Sequence, residues 1–461
     1  MRALVPTRAF LFLGPSLGLV VLCLTPPFQA PDEFNIFYRS YMVASGDLIA
    51  RQPAGAAIPT SLYEATAAFQ SVPFHPERKV SRQMISSALG VPMATSKTML
   101  PYIPNTALYA PLAFLPQAAG IDLGRIVGLG PLGLHYMSRL VNLLVWLLLV
   151  STALRITPVA PWLFFLVSLT PMSIFMAASS SPDAPTNGAC ELFIAALLRC
   201  IFGVDPQRIG KRWISALLLL SVSVGLLKVI YAPIALLGLC IPSRKFKSSL
   251  QQRVFVAALL ITSFGAAAIW SWLGAPPPTS VRAALDASLA PTDFSFQAQL
   301  QQVVAHPLRF LTVCLRTLKY DGAQYVVQYI GTLGWLDTPL PSWLWPPYLG
   351  AIVLTATTSK GVMARVGVGA RSLMLLIFVG VTGLILLSQY LVWTRVGSPT
   401  VEGPSGRYFI PVAPLLFLCV YRRTPGLDLD ESSWSYAPPL LALATTACVA
   451  IVLLNRYWIT G

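Results

Sequence analysis

Four short stretches hold the side chains with chemistry in them. PPFQAPDEFN (26–35) sets Asp32 and Glu33 side by side, directly after an apolar run. SSSPDAPTNG (179–188) carries Asp183, GLLKVIYAP (225–233) carries Lys228, and EGPSGRYFIP (402–411) carries Arg407 followed by Tyr408. A carboxylate can take a proton from an acceptor hydroxyl as a general base. Arg suits a phosphate through its planar fork of donors and Lys through its point charge, so such cations can stabilise charge developing on a departing phosphate. Arg139 and Arg39 extend the cationic set, and DGAQYVVQYIGTLGWLDTPLP (321–341) adds Asp321, Trp335 and Asp337 as a surface on which a ring could stack and hydrogen-bond. Each residue also has a plainer role. Asp32 and Asp183 suit helix starts, Lys228 can snorkel toward headgroups, and Trp335 can be an interfacial anchor.

What must position these residues is a membrane. The chain of 461 residues is 55% hydrophobic and 11% charged, where soluble domains carry about a quarter charged residues. Apolar runs predict about 11 transmembrane helices, at 9–25, 134–154, 161–178, 185–202, 213–227, 229–241, 254–273, 342–358, 372–392, 408–420 and 437–455. A crossing needs roughly 20 residues, so the fifth and sixth are thin, with Lys228 at their join. Arg2 and Arg8 ahead of the first run resemble a signal peptide, but without a good cleavage site the run reads as an uncleaved span. Three prolines interrupt 102–121, which reads as a re-entrant or surface-lying helix. A helix starting near Asp32 would put Phe34, Phe37, Tyr38, Tyr41 and Met42 on one lipid-facing side, with Asp32, Glu33, Asn35 and Arg39 on the other.

Charge orients the whole. The net +15 would suggest nucleic acid in a soluble protein, but here it is read loop by loop and no nucleic-acid partner is expected. With the N-terminus cytoplasmic, half of the 32 basic residues fall on short inner connections, against four of the 17 acids, as the positive-inside rule asks. Both long connections, 26–133 and 274–341, then lie outside with the candidate residues. The chain divides into 1–273, a transmembrane module with the first outer loop at 26–133; 274–341, an extracytoplasmic loop; and 342–461, further transmembrane helices. The seven cysteines show no CxxC spacing, and His75, His135 and His306 are isolated, so no metal site is expected. Carboxylate, cations and aromatics on the outer side could move a group from a lipid phosphate to an acceptor hydroxyl. One base suffices, because the leaving group is good, and in-line displacement inverts the anomeric centre.

The order of features resembles the GT-C superfamily of membrane glycosyltransferases: a first span, PDE, a long outer loop with YIPNTALYAPLAF, a span with an early Arg, SPD, then LLKVIYAPIALL. PPFQAPDEFNIFYRSY, SSSPDAPTN, GTLGWLDTPLP and GRYFIPVAPL are similar to a bacterial family of predicted membrane proteins (DUF2142-like), over about residues 20–420. The resemblance implies an all-α, GT-C-like polytopic protein of the bacterial inner membrane. It also implies a polyprenyl-phosphate sugar donor and a glycan or lipid acceptor, with membrane lipids as surroundings. An acid of the first outer loop (Asp32 or Glu33) would be the base, and Asp183 would orient substrate or help a metal. Some GT-C enzymes use a divalent metal (Mg or Mn); no DxD-like pair lies on the outer segments here, the one DxD (Asp428–Asp430) falling on an inner connection, and no cofactor is expected. The alternatives are a glycolipid transporter or flippase, and a surface-glycan polymerase or ligase with a pyrophosphate-linked donor. Neither an inverted repeat nor a charged path through the membrane favours transport.

Overall fold

The computed structural model describes residues 4–50, 55–203, 208–274, 293–358, 367–420 and 434–459. Proline in the first turn starts the first helix, α1 (Pro6–Leu24), where the missing N–H costs nothing. Phe10, Leu17 and Val21 are buried while Leu11 and Phe12 are exposed. That is the two-sided pattern of an apolar helix with protein on one face and lipid on the other.

The first long connection holds α2 (Glu33–Ala44), α3 (Thr60–Ala67), α4 (Arg82–Leu89) and α5 (Leu115–Ile126). A two-residue antiparallel ladder, Ile58–Pro59 with Thr98–Met99, ties it together. Then follow α6 (Pro131–Ile156), α7 (Pro161–Ser168), α8 (Pro171–Ala177), α9 (Asp183–Phe202) and α10 (Lys211–Leu227). A 3-10 run, Val229–Cys240, leads to α11 (Ser249–Leu273). The rest comprises α12 (Phe296–Ala305), α13 (Pro307–Gly331), α14 (Trp345–Thr358), α15 (Val368–Val392), a 3-10 turn at Gly406–Val412, α16 (Ala413–Cys419) and α17 (Ala437–Tyr457). Between α13 and α14, Thr332–Leu333 pairs antiparallel with Thr338–Pro339.

Six of the described helices, α1, α6, α9, α11, α15 and α17, are long and apolar enough to cross a membrane. The other expected spans are made of shorter pieces. Residues 161–178 break at Thr170–Pro171, and 213–241 is α10 plus the 3-10 run, with Lys228 extended between them. Segment 342–358 is the 14-residue α14, and 408–420 joins a 3-10 turn to α16. The prolines of 102–121 have the expected effect. Only a short 3-10 turn and the 12-residue α5 form there, and α5 lies on α6 with Gly120 against the backbone of Met137 and Ser138.

Two expectations are corrected. The connection 274–341 is not a loop throughout, since α13 runs for 25 residues within it. Arg309, Arg316, Lys319 and Asp321 keep that stretch too polar to read as a span, although its helical period is intact. The aromatic side of α2 does not face lipid either. Phe37, Tyr38, Tyr41 and Met42 are buried, because Phe28 and His135 pack on Phe37, Thr66 meets the Tyr38 hydroxyl and Arg125 of α5 covers the Tyr41 ring. Residues 275–292 of the second connection lie outside the described residues, as do Asp205, Lys360, Arg365, Arg422, Arg423, Asp428, Asp430 and Glu431.

Helix ends gather at one end of the bundle. Ser435 Oγ accepts from the Leu4 amide at 3.0 Å, and the Trp458 indole donates to the Leu24 carbonyl at 2.7 Å. So α1 and α17 run parallel, and their C-termini meet. The N-termini of α6 and α9 reach the same end through Glu33, as does the C-terminus of α10 through Lys228.

Candidate functional site

At that end Asp32, Asp183, Lys228 and Arg407 converge from four separate elements. Lys228 Nζ donates to Asp183 Oδ1 at 2.6 Å. Arg407 lies between the acids, with Nε 3.5 Å from Asp183 Oδ2 and Nη2 3.5 Å from Asp32 Oδ2. Tyr408 joins them, its ring 4.6 Å from the Lys228 ammonium and 5.3 Å from the Arg407 guanidinium. Tyr109 closes the Lys228 side at 5.5 Å. Formal charges cancel within the four, so a buried cluster is tolerated where an unpaired ion would not be.

The members are held unequally. Asp183, Lys228 and Arg407 are buried, whereas the Asp32 side chain is 41% exposed. Asp32 stands at the N-cap position of α2 but does not cap it with its side chain. Its φ of 62° places it in the left-handed region, and its side chain makes no capping bond, so the carboxylate is free to turn outward. There it accepts from the Asn105 amide at 3.0 Å, and Asn105 is itself oriented by Asn35 at 2.8 Å. Arg407 has spare capacity. Its Nε lies within ion-pair range of Asp183 but makes no hydrogen bond, and its Nη2 contacts with Asp32 and Tyr408 are long, 3.5 Å each. A guanidinium fork bonds carboxylate or phosphate at about 2.7–2.9 Å. This fork is underused.

A close approach of α13 to the Gly406–Val412 turn fixes Arg407 in place. A Cβ at Gly406 would overlap the Tyr325 carbonyl and the Tyr329 amide, and the Gly406 amide donates to Gln328 Oε1 at 3.0 Å. Gly406→Ala is expected to push the turn off α13 and move Arg407. The variant should melt at lower temperature in detergent. Wild-type melting would contradict this packing argument.

Glu33 does a different job from its neighbour. It is wholly buried and takes both forks of Arg139, Nε to Oε1 at 2.8 Å and Nη2 to Oε2 at 2.6 Å. The amides of Ser180 (2.9 Å) and Ala30 (3.2 Å) also donate to it. His135 Nε2 lies 3.7 Å away. Burial alone would raise this carboxyl, but Arg139, His135 and the Ser180 amide outweigh it and hold Glu33 below its ordinary range. The remaining donors of Arg139 go to the carbonyls of Thr25 and Pro26. Asn142 holds the carbonyls of Ser179 and Ser181, and Gln117 that of Ser180. Together these contacts bolt the turn before α9 to α6 and so aim Asp183 at Lys228.

Sequence reasoning therefore needs correcting at both residues. Glu33 and Arg139 satisfy each other and cannot serve as base or phosphate ligand. Breaking a buried pair from one side costs about 3–5 kcal/mol, so Glu33→Gln should be strongly destabilised in a detergent thermal-shift assay. Because the folded carboxyl is depressed, its contribution is present above the ordinary value of 4.5 and is lost as pH falls through the lower folded value. The gap in melting temperature between wild type and variant should therefore narrow on acidification.

The other expected residues lie elsewhere. Arg39 is fully buried and donates to the carbonyls of Asp47 and Leu48 at 2.8 and 2.7 Å, a loop clamp. Asp321 sits half-buried on α13, outside the ion pairs of the cluster. Asp337 is structural: it accepts from Arg456 (3.0 Å), the Phe74 amide (2.8 Å), the Trp335 amide (3.1 Å) and Thr338 (3.0 Å). Trp335 does face an open cleft, taken up below. Sequence reasoning missed Asn35, Asn105, Tyr109 and His135; only the proximity of Asn35 to PDE and the Asn within YIPNTALYAP offered any hint.

Among the described residues no three His, Cys, Asp or Glu side chains group as metal ligands. Asp32 and Asp183 are each paired with cations, so the cluster does not fit a divalent ion. Comparison with curated proteins and with solved structures gives no match. Residues 16–416 match the family described as predicted membrane protein (DUF2142), in keeping with the apolar helices. The chain belongs to the DUF2142 family of membrane proteins.

Proposed function

We propose that the protein is a membrane glycosyltransferase of GT-C type, moving a sugar from a polyprenyl-phosphate donor to a hydroxyl of a cell-envelope glycan or lipid. Asp32 takes the proton of the acceptor hydroxyl, whose oxygen then bonds to the anomeric carbon. The bond from that carbon to the phosphate oxygen breaks, and polyprenyl phosphate leaves with its charge held by Arg407 and Lys228. Asp183 positions the two cations. Base and guanidinium must flank the sugar in this displacement, at roughly twice their present separation. The Asp32–Arg407 contact is long and its carboxylate is the exposed one of the cluster, hence the contact that substrate can part.

The observation that carries this reading is the meeting of a solvent-reachable carboxylate with an underused guanidinium and a buried ammonium at one end of the helices. The topology belongs to the proposal: eleven crossings with the N-terminus in the cytoplasm put this end on the extracytoplasmic face of the bacterial inner membrane. The parallel course of α1 and α17 supports an odd number of crossings. Purified protein in vesicles, given a polyprenyl-phosphate sugar and envelope oligosaccharides, should lighten the donor lipid by one sugar and lengthen an acceptor. Lipid that crosses the bilayer with its mass unchanged would overturn the reading in favour of a flippase.

A further inference from the structure

Beside the charged cluster lies a cleft of about 560 Å³, within the range of small-ligand sites. Its walls are aromatic: Phe34, Tyr63, Phe74, Tyr102 and Trp335. Tyr63, Phe74 and Tyr102 are 41%, 63% and 44% exposed, leaving ring surface open to the cleft. Hydrogen-bonding groups are interleaved with them, from Asn35, Gln70 and His75. Among the described residues no Lys, Arg, Asp or Glu lines the cleft, although the charged cluster is close by.

The rings are fixed. The Trp335 indole donates to the Phe28 carbonyl at 3.1 Å, and its ring packs 5.8 Å from Phe34 and 6.0 Å from Phe74. The Asp337 carboxylate holds the backbone amides of both Trp335 and Phe74, so one carboxylate sets two walls. At its inner edge the cleft joins the cluster, since Asn35 bonds Asn105 and Asn105 bonds Asp32. The first turn of α2 thus carries the base at Asp32 and cleft-lining groups at Phe34 and Asn35.

We propose that this cleft binds the acceptor, and that the acceptor is a neutral oligosaccharide. A sugar ring offers apolar C–H faces that stack on aromatic planes and hydroxyl edges that suit amide and imidazole groups. An anionic lipid headgroup, a nucleic acid or a charged peptide would find no counter-ion here. With its outer rings on Trp335 and Phe74, the chain presents a terminal hydroxyl to Asp32. The proposal rests on the transferase reading and narrows its acceptor from glycan or lipid to neutral glycan.

The test separates binding from transfer. Neutral and acidic oligosaccharides, released from the envelope of the producing cell by partial acid hydrolysis, are passed over immobilised wild-type protein, Trp335→Ala, Trp335→Phe and Phe74→Ala. Wild type should retain a neutral set; the two Ala variants should retain it about tenfold less, with Trp335→Phe between. In the transfer assay the acceptor KM should rise in the same order. Retention of no neutral glycan, or equal retention by Trp335→Ala, overturns the proposal, and the latter is what a mere membrane anchor would give. Retention without any transfer would leave the cleft standing and overturn the enzymatic reading. Transfer with an acceptor KM indifferent to Trp335 would do the reverse.

Discussion

Asp32→Asn is expected to insert and fold like wild type yet lose about 10²–10⁴-fold in sugar transfer, the usual worth of a general base. Its carboxylate makes only the Asn105 bond and the long Arg407 contact. Asparagine keeps an oxygen for Asn105, while Arg407 retains Asp183. The loss should therefore appear in kcat with little change in melting temperature. The contrast with Glu33→Gln is diagnostic: that variant should fail through stability, this one through chemistry. Full activity in Asp32→Asn with normal expression would remove the base assignment.

Arg407→Ala has the second-largest expected effect, a loss of about 10²–10³-fold, comparable with removing one charge-stabilising donor. Lys228 still neutralises Asp183 in this variant, so no unpaired carboxylate is left buried. The loss should be greatest for short-chain donors, which lack the membrane-held prenyl tail and lean on the phosphate contact. Arg407→Lys restores the charge but not the planar fork, and should recover only part of the rate. Initial rates over a series of donor chain lengths check this, and an unchanged length dependence would contradict the phosphate role.

How far the sequence discloses this site follows from where its residues lie. Asp32, Asp183, Lys228 and Arg407 all sit beside helix ends marked by Pro or Gly, and the charge distribution puts those ends on one face. Their convergence was therefore legible. The division of labour within PDE was not, because consecutive acids look alike until a φ of 62° at Asp32 sends one outward and the next inward. Nor does any local signal pair Glu33 with Arg139, which lie 106 residues apart. The burial of the α2 aromatics depends on Arg125 and His135, supplied by later segments that an amphipathic reading of α2 alone cannot see. Helix α13 is hidden for the opposite reason: its charges lower the hydropathy that marks a span, although they do not disturb a helix.

If Asp32 acts chemically on an envelope sugar, mass spectrometry of cell-envelope glycans will show it. Three strains are compared: wild type, one lacking the protein, and one carrying Asp32→Asn at wild-type abundance. The same sugar should be missing from the last two. Asp32→Asn glycans identical to wild type, alongside a deletion strain that lacks a sugar, would contradict it.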